Sequence, residues 1–188
     1  MKKVLITGIT GSGASYLADF LVEQNLEVHG IARWHSTAQH SNLKKCADRV
    51  TVHECDLLDL SSVIRTLRKV KPDYIFHLAS HANVRSCFDN PIAVMNNNVN
   101  CTINLFEAIR LEEQNPIVQF CGTSEVYGQV EIKDLPIREK NQIDPVNIYA
   151  ISKLTQEKIA KSYHLAYGMN VVITRMFAYI NPRRQDIF

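Results

Sequence analysis

Residues 3–23 read KVLITGITGSGASYLADFLVE: a short apolar run, a cluster of glycines, then apolar residues at a different period. KVLIT (3–7) has the length and apolar character of a buried strand. Ala14, Leu17, Ala18, Leu21 and Val22 then recur at i, i+3, i+4, i+7 and i+8, which is one face of a helix. Between strand and helix lies TGITGSGAS (7–15), with Gly8, Gly11 and Ala14 three apart and Gly13 as a further permissive position. A plain strand–helix turn accounts for such a loop. So does a pyrophosphate that must approach the backbone closely at a helix N-terminus. The placement, directly after a strand and before a helix, favours dinucleotide binding.

The same alternation continues along the chain. EVHGIA (27–32), VTVHE (50–54), DYIFHL (73–78), IVQFC (117–121) and NVVITRM (170–176) are the further strand candidates. Ser61 is placed to cap a helix that carries Val63, Ile64, Leu67 and Val70 and stops before Pro72. Asn98, Thr102, Leu105, Phe106 and Ile109 share a face of a long helix ending near Pro116. A last helix is expected from about Tyr149 to Gly168, a residue suited to the C′ position. Strands apolar on both faces and alternating with helices predict a parallel sheet covered on each side. Right-handed crossovers make it a doubly wound α/β sheet, the Rossmann fold, in strand order 3-2-1-4-5-6. The longest irregular stretches, 33–48 and 122–147, each follow a strand's carboxyl end, where open sheets of this kind place ligands.

At 188 residues and 46% hydrophobic, the chain fits one domain with a substantial core. A net charge of +2, with basic and acidic residues mixed, gives no reason to expect nucleic acid. The five cysteines are odd in number and form no CxxC, which argues for a reducing compartment over a disulfide framework or structural zinc. His77 and His81 stand four apart without accompanying ligands, so no metal is expected. Two N-terminal lysines before an apolar stretch imitate a signal peptide, but glycines and hydroxyl residues cut the run. No run approaches the ~18 apolar residues of a membrane span. The expectation is a soluble, cytoplasmic protein with no membrane partner.

The residues after the second strand bear on which dinucleotide is bound. An acid for the ribose 2′-hydroxyl of NAD is usual about 20 residues past the loop. Here GIARWHS (30–36) offers Arg33, and no acid lies between residues 28 and 47. A guanidinium suits a 2′-phosphate, so NADP is favoured over NAD; a solvated arginine is the bland alternative. Asp56 in ECDLLD (54–59) is placed either to accept from the adenine amino group or to serve a turn or cap.

DPVNIYAISK (144–153) sets Tyr149 four residues ahead of Lys153 at the start of the last helix, on one face. A phenol near pKa 10 is a poor base at neutral pH, and a nearby ammonium favours the phenolate. Lys153 can also reach the nicotinamide ribose. GTSEVYG (122–128) reaches the same sheet edge, where Thr123 can hold a substrate hydroxyl. The pair therefore reads as catalytic.

At TGITGSGAS, CDLLD (55–59), HLAS (77–80), GTSEVYG and YAISK (149–153) the chain resembles the extended short-chain dehydrogenase/reductase superfamily. Within it, EVHGIAR (27–33), TSEVYG and NPRR (181–184) are similar to the GDP-mannose 4,6-dehydratase family. The resemblance implies a nucleotide-sugar substrate, GDP-mannose before others, and a 4-keto-6-deoxy product. It assigns Tyr149 to the proton of the C4 hydroxyl and Glu125 to the C5 proton, a task that a simple epimerase lacks. A surface carboxylate is the alternative for Glu125. Cofactor contacts carried over fall on Gly8, Ile9, Thr10, Gly11, Ser12 and Gly13, on Asp56 and Leu57, and on Leu78, Ala79, Ser80, His81 and Ala82. Tyr149, Lys153, Tyr179 and Arg184 complete them.

The chain also departs from the family pattern. Ala14 stands at the third loop glycine, Ala178 and Tyr179 replace an Asn-His pair, and the basic pair after the second strand is reduced to Arg33 with Trp34. The family continues past the PRR stretch into a smaller domain. The expectation is therefore a nucleotide-binding domain over 1–188, truncated and lacking most of the substrate domain. A homo-oligomer, dimer or tetramer, is implied, with helices at 92–112 and 149–168 as the dimer interface. A 4-keto-6-deoxy-sugar reductase, a UDP-glucuronate decarboxylase, another epimerase, and a non-catalytic dinucleotide-binding module are the competing readings.

Overall fold

The computed structural model describes residues 1–36 and 41–184; residues 37–40, within the irregular stretch 33–48, and 185–188 lie outside the described residues. The strands are β1 (Lys3–Thr7), β2 (Glu27–Ala32), β3 (Val50–Glu54), β4 (Tyr74–His77), β5 (Ile117–Thr123) and β6 (Val171–Met176). The helices are α1 (Ser12–Glu23), α2 (Leu60–Val70), the short α3 (Ser86–Asp89), α4 (Pro91–Leu111) and α5 (Ile148–Tyr167). The sheet has six strands in the order β3-β2-β1-β4-β5-β6, as predicted, and every neighbouring pair is parallel.

The layers follow from the period-2 alternation along β1. Val4 and Ile6 point to one face, where they meet Ala14, Ala18, Leu21 and Val22 of α1 together with Leu43 and Cys46. Leu5 points to the other, where Val63 and Leu67 of α2, Leu105, Phe106 and Ile109 of α4, and Ala160 of α5 close the core. Over β4–β6 the first face is exposed at Ile117, Val172 and Met176.

Helix ends obey local chemistry, with one correction to the expected caps. The cap of α2 is Asp59 rather than Ser61: the Asp59 carboxylate accepts from the Ser61 backbone N–H at 2.9 Å, which is the geometry an N-cap acid makes with the N2 amide. Pro91 opens α4 at N1, and Gly168 ends α5 in the left-handed conformation at φ 69°, as expected. β5 runs two residues past the predicted end because Gly122 and Thr123 pair with Arg175 and Met176 of β6. That extension carries Thr123 to the carboxyl rim.

Candidate active site

The glycine loop sits at the centre of that rim. Gly8 has φ +69°, and a Cβ there would meet the Ala79 backbone at 2.9 Å, so a side chain is excluded on both counts. This packs the loop against the residues after β4. Gly11 precedes α1 with no side chain capping the first turn, which leaves the amides at that helix end available to an anion. A Cβ on Gly13 would come within 2.6 Å of the Tyr179 hydroxyl, so the chain after β6 crosses directly above the loop. The Ser80 hydroxyl, beside it, is buried with no protein partner. A backbone cradle, a bare helix N-terminus and an orphaned hydroxyl fit the diphosphate and ribose of a dinucleotide.

Beyond the loop, at the carboxyl ends of β2 and β3, is a cavity of about 530 Å³ lined by Arg33 and Trp34 after β2, Glu54 at the end of β3, Asp56 after it, and Ser62 and Arg65 of α2. Asp56 accepts from the Leu58 N–H at 2.9 Å, so one oxygen serves the turn. Arg33 is close enough to His81 to help lower its pKa, although burial is the larger cause. A larger cavity, about 690 Å³, opens at the opposite rim beside Lys2, Tyr74 and Asn170, away from all of these groups.

At the other end, the end of β5, the turn after it and the start of α5 bring Thr123, Glu125 and Tyr149 together, with Lys153 one turn further along the helix. Thr123 caps the turn after β5 by accepting from the Glu125 N–H at 3.3 Å. Asn147 caps α5, accepting from the Ala150 N–H at 2.8 Å, and its amide nitrogen donates to the Glu125 carboxylate at 2.7 Å. One residue thus fixes both the start of the helix and the orientation of the acid. Tyr149, 8% exposed, follows two residues later. Its phenol is pushed up to about 12 by burial; a hydrogen bond with Thr123 opposes the shift, and Cys121, Glu125 and Tyr179 add to it.

Lys153 turns to the end of β5. The residue is 3% exposed, and its ammonium donates to the Cys121 carbonyl at 2.7 Å and lies 5.1 Å from the centre of the Phe120 ring. Burial pulls it down to about 8. Tyr179 is near both the glycine loop and Tyr149, and so joins the two halves of the cleft. Arg184 is exposed and donates to the Tyr179 carbonyl at 3.0 Å.

A family model described as GDP-mannose 4,6 dehydratase matches residues 5–188. The chain belongs to the GDP-mannose 4,6-dehydratase family. Over its whole length it is 34% identical to the GDP-mannose 4,6-dehydratase of Yersinia enterocolitica, and it spans 52% of that relative. Among solved structures, RMD from Pseudomonas aeruginosa in complex with NADPH superposes over 100% of this chain and 58% of that one, with a TM-score of 0.80 and 26% identity. UDP-glucose 4-epimerase from Brucella ovis in complex with NAD covers 94% of this chain and 52% of that one, with a TM-score of 0.84 and 29% identity. The chain spans about half the length of the curated relatives it matches.

Behind the cleft, this GDP-mannose 4,6-dehydratase family member ties its two halves together with a buried polar network. Thr7, which accepts from the Ala79 N–H, is 2.9 Å from His77 Nδ1, and His77 Nε2 is 2.9 Å from Thr102 Oγ1. Thr102 donates to the Asn98 carbonyl and accepts from the Gln156 amide. These roles assign His77 as the neutral Nε2–H tautomer. Asn98 accepts from the His81 N–H at 2.7 Å and donates to the Ser152 hydroxyl, which donates to the Tyr149 carbonyl. The loop over residues 78–82 is therefore fastened to the first turn of α5.

This network predicts a pH dependence of stability. His77 is fully buried and its pKa falls from 6.5 to about 3, chiefly through burial. The unfolded chain takes up this proton first, so the contribution is intact above pH 6.5 and is lost progressively as pH falls towards 3. The slope is about 1.4 kcal/mol per pH unit for one proton. Melting temperatures measured from pH 7 to pH 4 should fall, and His77→Gln should flatten part of that fall.

The structure adds residues that the sequence reading did not single out: Asn147, Ser62, Arg65 and Tyr127. Asn147 carried a signal, an Asn directly before a helical pattern. Arg65 and Ser62 carried none, since they reach the cavity from a helix read only for its buried face. Tyr127 accepts from Arg175 at 2.8 Å, and that guanidinium also forks onto Glu157, which braces the 122–128 segment.

Proposed function

We propose that this chain carries the cofactor-binding half and the catalytic side chains of an NADP-dependent GDP-mannose 4,6-dehydratase. The observation that carries the reading is the convergence of Thr123, Glu125 and Tyr149, with Glu125 held by Asn147. An enzyme that only oxidises and reduces at C4 has no need of a positioned carboxylate there.

Bound NADP would supply a hydride acceptor at the sugar C4 and give the hydride back at C6. The residues do the rest. Thr123 orients the C4 hydroxyl and Tyr149 takes its proton. The C4 ketone acidifies the C5–H, and Glu125 removes that proton. The C6 oxygen leaves as water, taking a proton with it, and C5 is reprotonated as C6 is reduced. The product is the 4-keto-6-deoxy sugar with the dinucleotide regenerated. With the phenol held high by burial, the positive charge of an oxidised nicotinamide beside it is what would favour the phenolate. Lys153 reaches the ribose from the end of β5, and Gly8 to Gly13 hold the diphosphate.

Arg33 is assigned to the 2′-phosphate, and Arg65 stands across the same cavity. Arg33→Ala is expected to weaken NADP binding about tenfold or more while leaving NAD within a factor of about two, since a charge-assisted contact to phosphate is lost from one cofactor alone. Isothermal titration with both cofactors checks it. A homodimer through α4 and α5 belongs to the same reading, and the exposed Ile92, Ile151 and Leu165 on those helices support it. The test of the function is incubation with GDP-mannose and NADP+, followed by mass spectrometry for a product lighter by one water. UDP-glucose serves as the competing substrate.

A further inference from the structure

The chemistry above makes no use of Asp19, yet this carboxylate of α1 is only 5% exposed and carries its own counter-ion. Arg183, its partner, lies in the strap that follows β6 from Phe177 to Arg184, and its side chain is 18% exposed. The guanidinium donates to Asp19 Oδ2 at 2.5 Å and stacks 4.0 Å over the ring of Tyr16, one turn earlier on the same helix. The strap is braced internally: Asn181 accepts from the Arg183 N–H at 2.9 Å, and Arg184 donates to the Tyr179 carbonyl at 3.0 Å. Fixing Arg183 therefore fixes Tyr179, whose hydroxyl covers Gly13.

A second segment lies near the same carboxylate. The Cys46 thiol, ahead of β3, is pushed up to about 11, by burial first and then by the nearby Asp19 carboxylate. That segment also reaches the glycine loop directly, through the Asn42 amide donating to the Thr10 carbonyl at 2.9 Å. Asp19 thus binds the strap through Arg183 and lies near the Cys46 segment, on the helix whose N-terminus would face the diphosphate.

The pair is not built for stability alone. Asp19 Oδ1 and one terminal nitrogen of Arg183 are buried without partners. A buried ion pair with unmet hydrogen bonds recovers less of its desolvation cost than a complete one, and it opens more easily than the surrounding core. Such a pair suits a contact that must break and re-form.

We infer that Asp19 is a positioning residue, a latch that holds the 177–184 strap closed over a bound dinucleotide, so that the cofactor leaves only when the Asp19–Arg183 pair opens. The inference rests on the dinucleotide reading and gives it a kinetic consequence: slow release of a cofactor that is regenerated in each cycle.

The test is stopped-flow release of NADPH, followed by its fluorescence on displacement with excess NADP+, for wild type, Asp19→Asn, Arg183→Met and the double variant. Each single change is expected to raise the release rate about tenfold or more, with the double variant no faster than either single one. An unchanged release rate in Asp19→Asn overturns the latch. A wild type that binds no NADPH would instead refute the dinucleotide reading. A second measurement needs no cofactor: tryptic cleavage after Arg183, normalised to cleavage after Lys133, whose side chain is 72% exposed. Asp19→Asn should accelerate the normalised rate about tenfold, because the open strap presents its arginine. Equal normalised rates overturn the latch whatever binds in the cleft.

Discussion

Tyr149→Phe is expected to lower turnover of the nucleotide sugar by about 10²–10⁴-fold, the range for a positioned proton-transfer group. Dinucleotide affinity should stay within a factor of about three, since the ring and its packing remain. The fold should survive. The phenol faces the Thr123 hydroxyl, and losing one such polar partner costs at most about 1–3 kcal/mol. Melting temperature and NADP titration measured beside kcat separate these effects. If the phenylalanine variant turns over as wild type does, Tyr149 is only part of a helix's first turn, and a dinucleotide-binding module becomes the better reading.

The pH profile of the wild type sharpens the same point. The base must be the phenolate, which burial holds near 12, so the rate should climb with pH through the neutral range. Lys153, lowered to about 8, then loses its charge, and the profile should bend over on the alkaline side as the cation leaves the site. A profile that kept rising through pH 9 would argue that Lys153 contributes packing rather than charge.

How far this site was legible in the sequence depends on the range of the contact. The periods along KVLIT and along Ala14–Val22 are local, and local pattern was enough to order the strands and to put Tyr149 and Lys153 on one helical face. Spacing on a face does not say what lies opposite. The Lys153 ammonium meets the Cys121 carbonyl at the end of β5, and only the packing of α5 on the sheet reveals that partner. The upward shift of Tyr149 is likewise a property of burial, which spacing does not contain. The other contacts that shape the site are equally non-local: Asn98 with Ser152, Asn147 with Glu125, and Asp19 with Arg183 are separated by 54, 22 and 164 residues. Buried asparagine and aspartate on helices read in isolation as poor helix formers or solvated positions. Here they are the groups that fasten one βα unit to another.

Glu125→Gln should separate the two halves of the proposed reaction. The amide carbonyl can still accept from Asn147, so geometry is kept while the base is lost. Removal of the C5 proton is expected to slow by about 10²–10⁴-fold, whereas oxidation at C4, which depends on Tyr149, proceeds. The signature is nicotinamide reduction absorbing in a single burst per site, with no dehydrated product in the mass spectrum. A reductase or epimerase on the same frame would be nearly indifferent to this change. Asn147 then tests whether the acid must be held as well as present. Asn147→Asp keeps a capping oxygen for the Ala150 N–H, so the helix should remain as stable to within about 0.5 kcal/mol. It also sets a second carboxylate against Glu125, where an amide donor stood. Like charge at that distance repels the acid and favours its protonated form, so dehydration should fall sharply while the melting temperature does not. A parallel loss of both would mean that Asn147 serves the helix alone, and that the orientation of Glu125 is incidental to it.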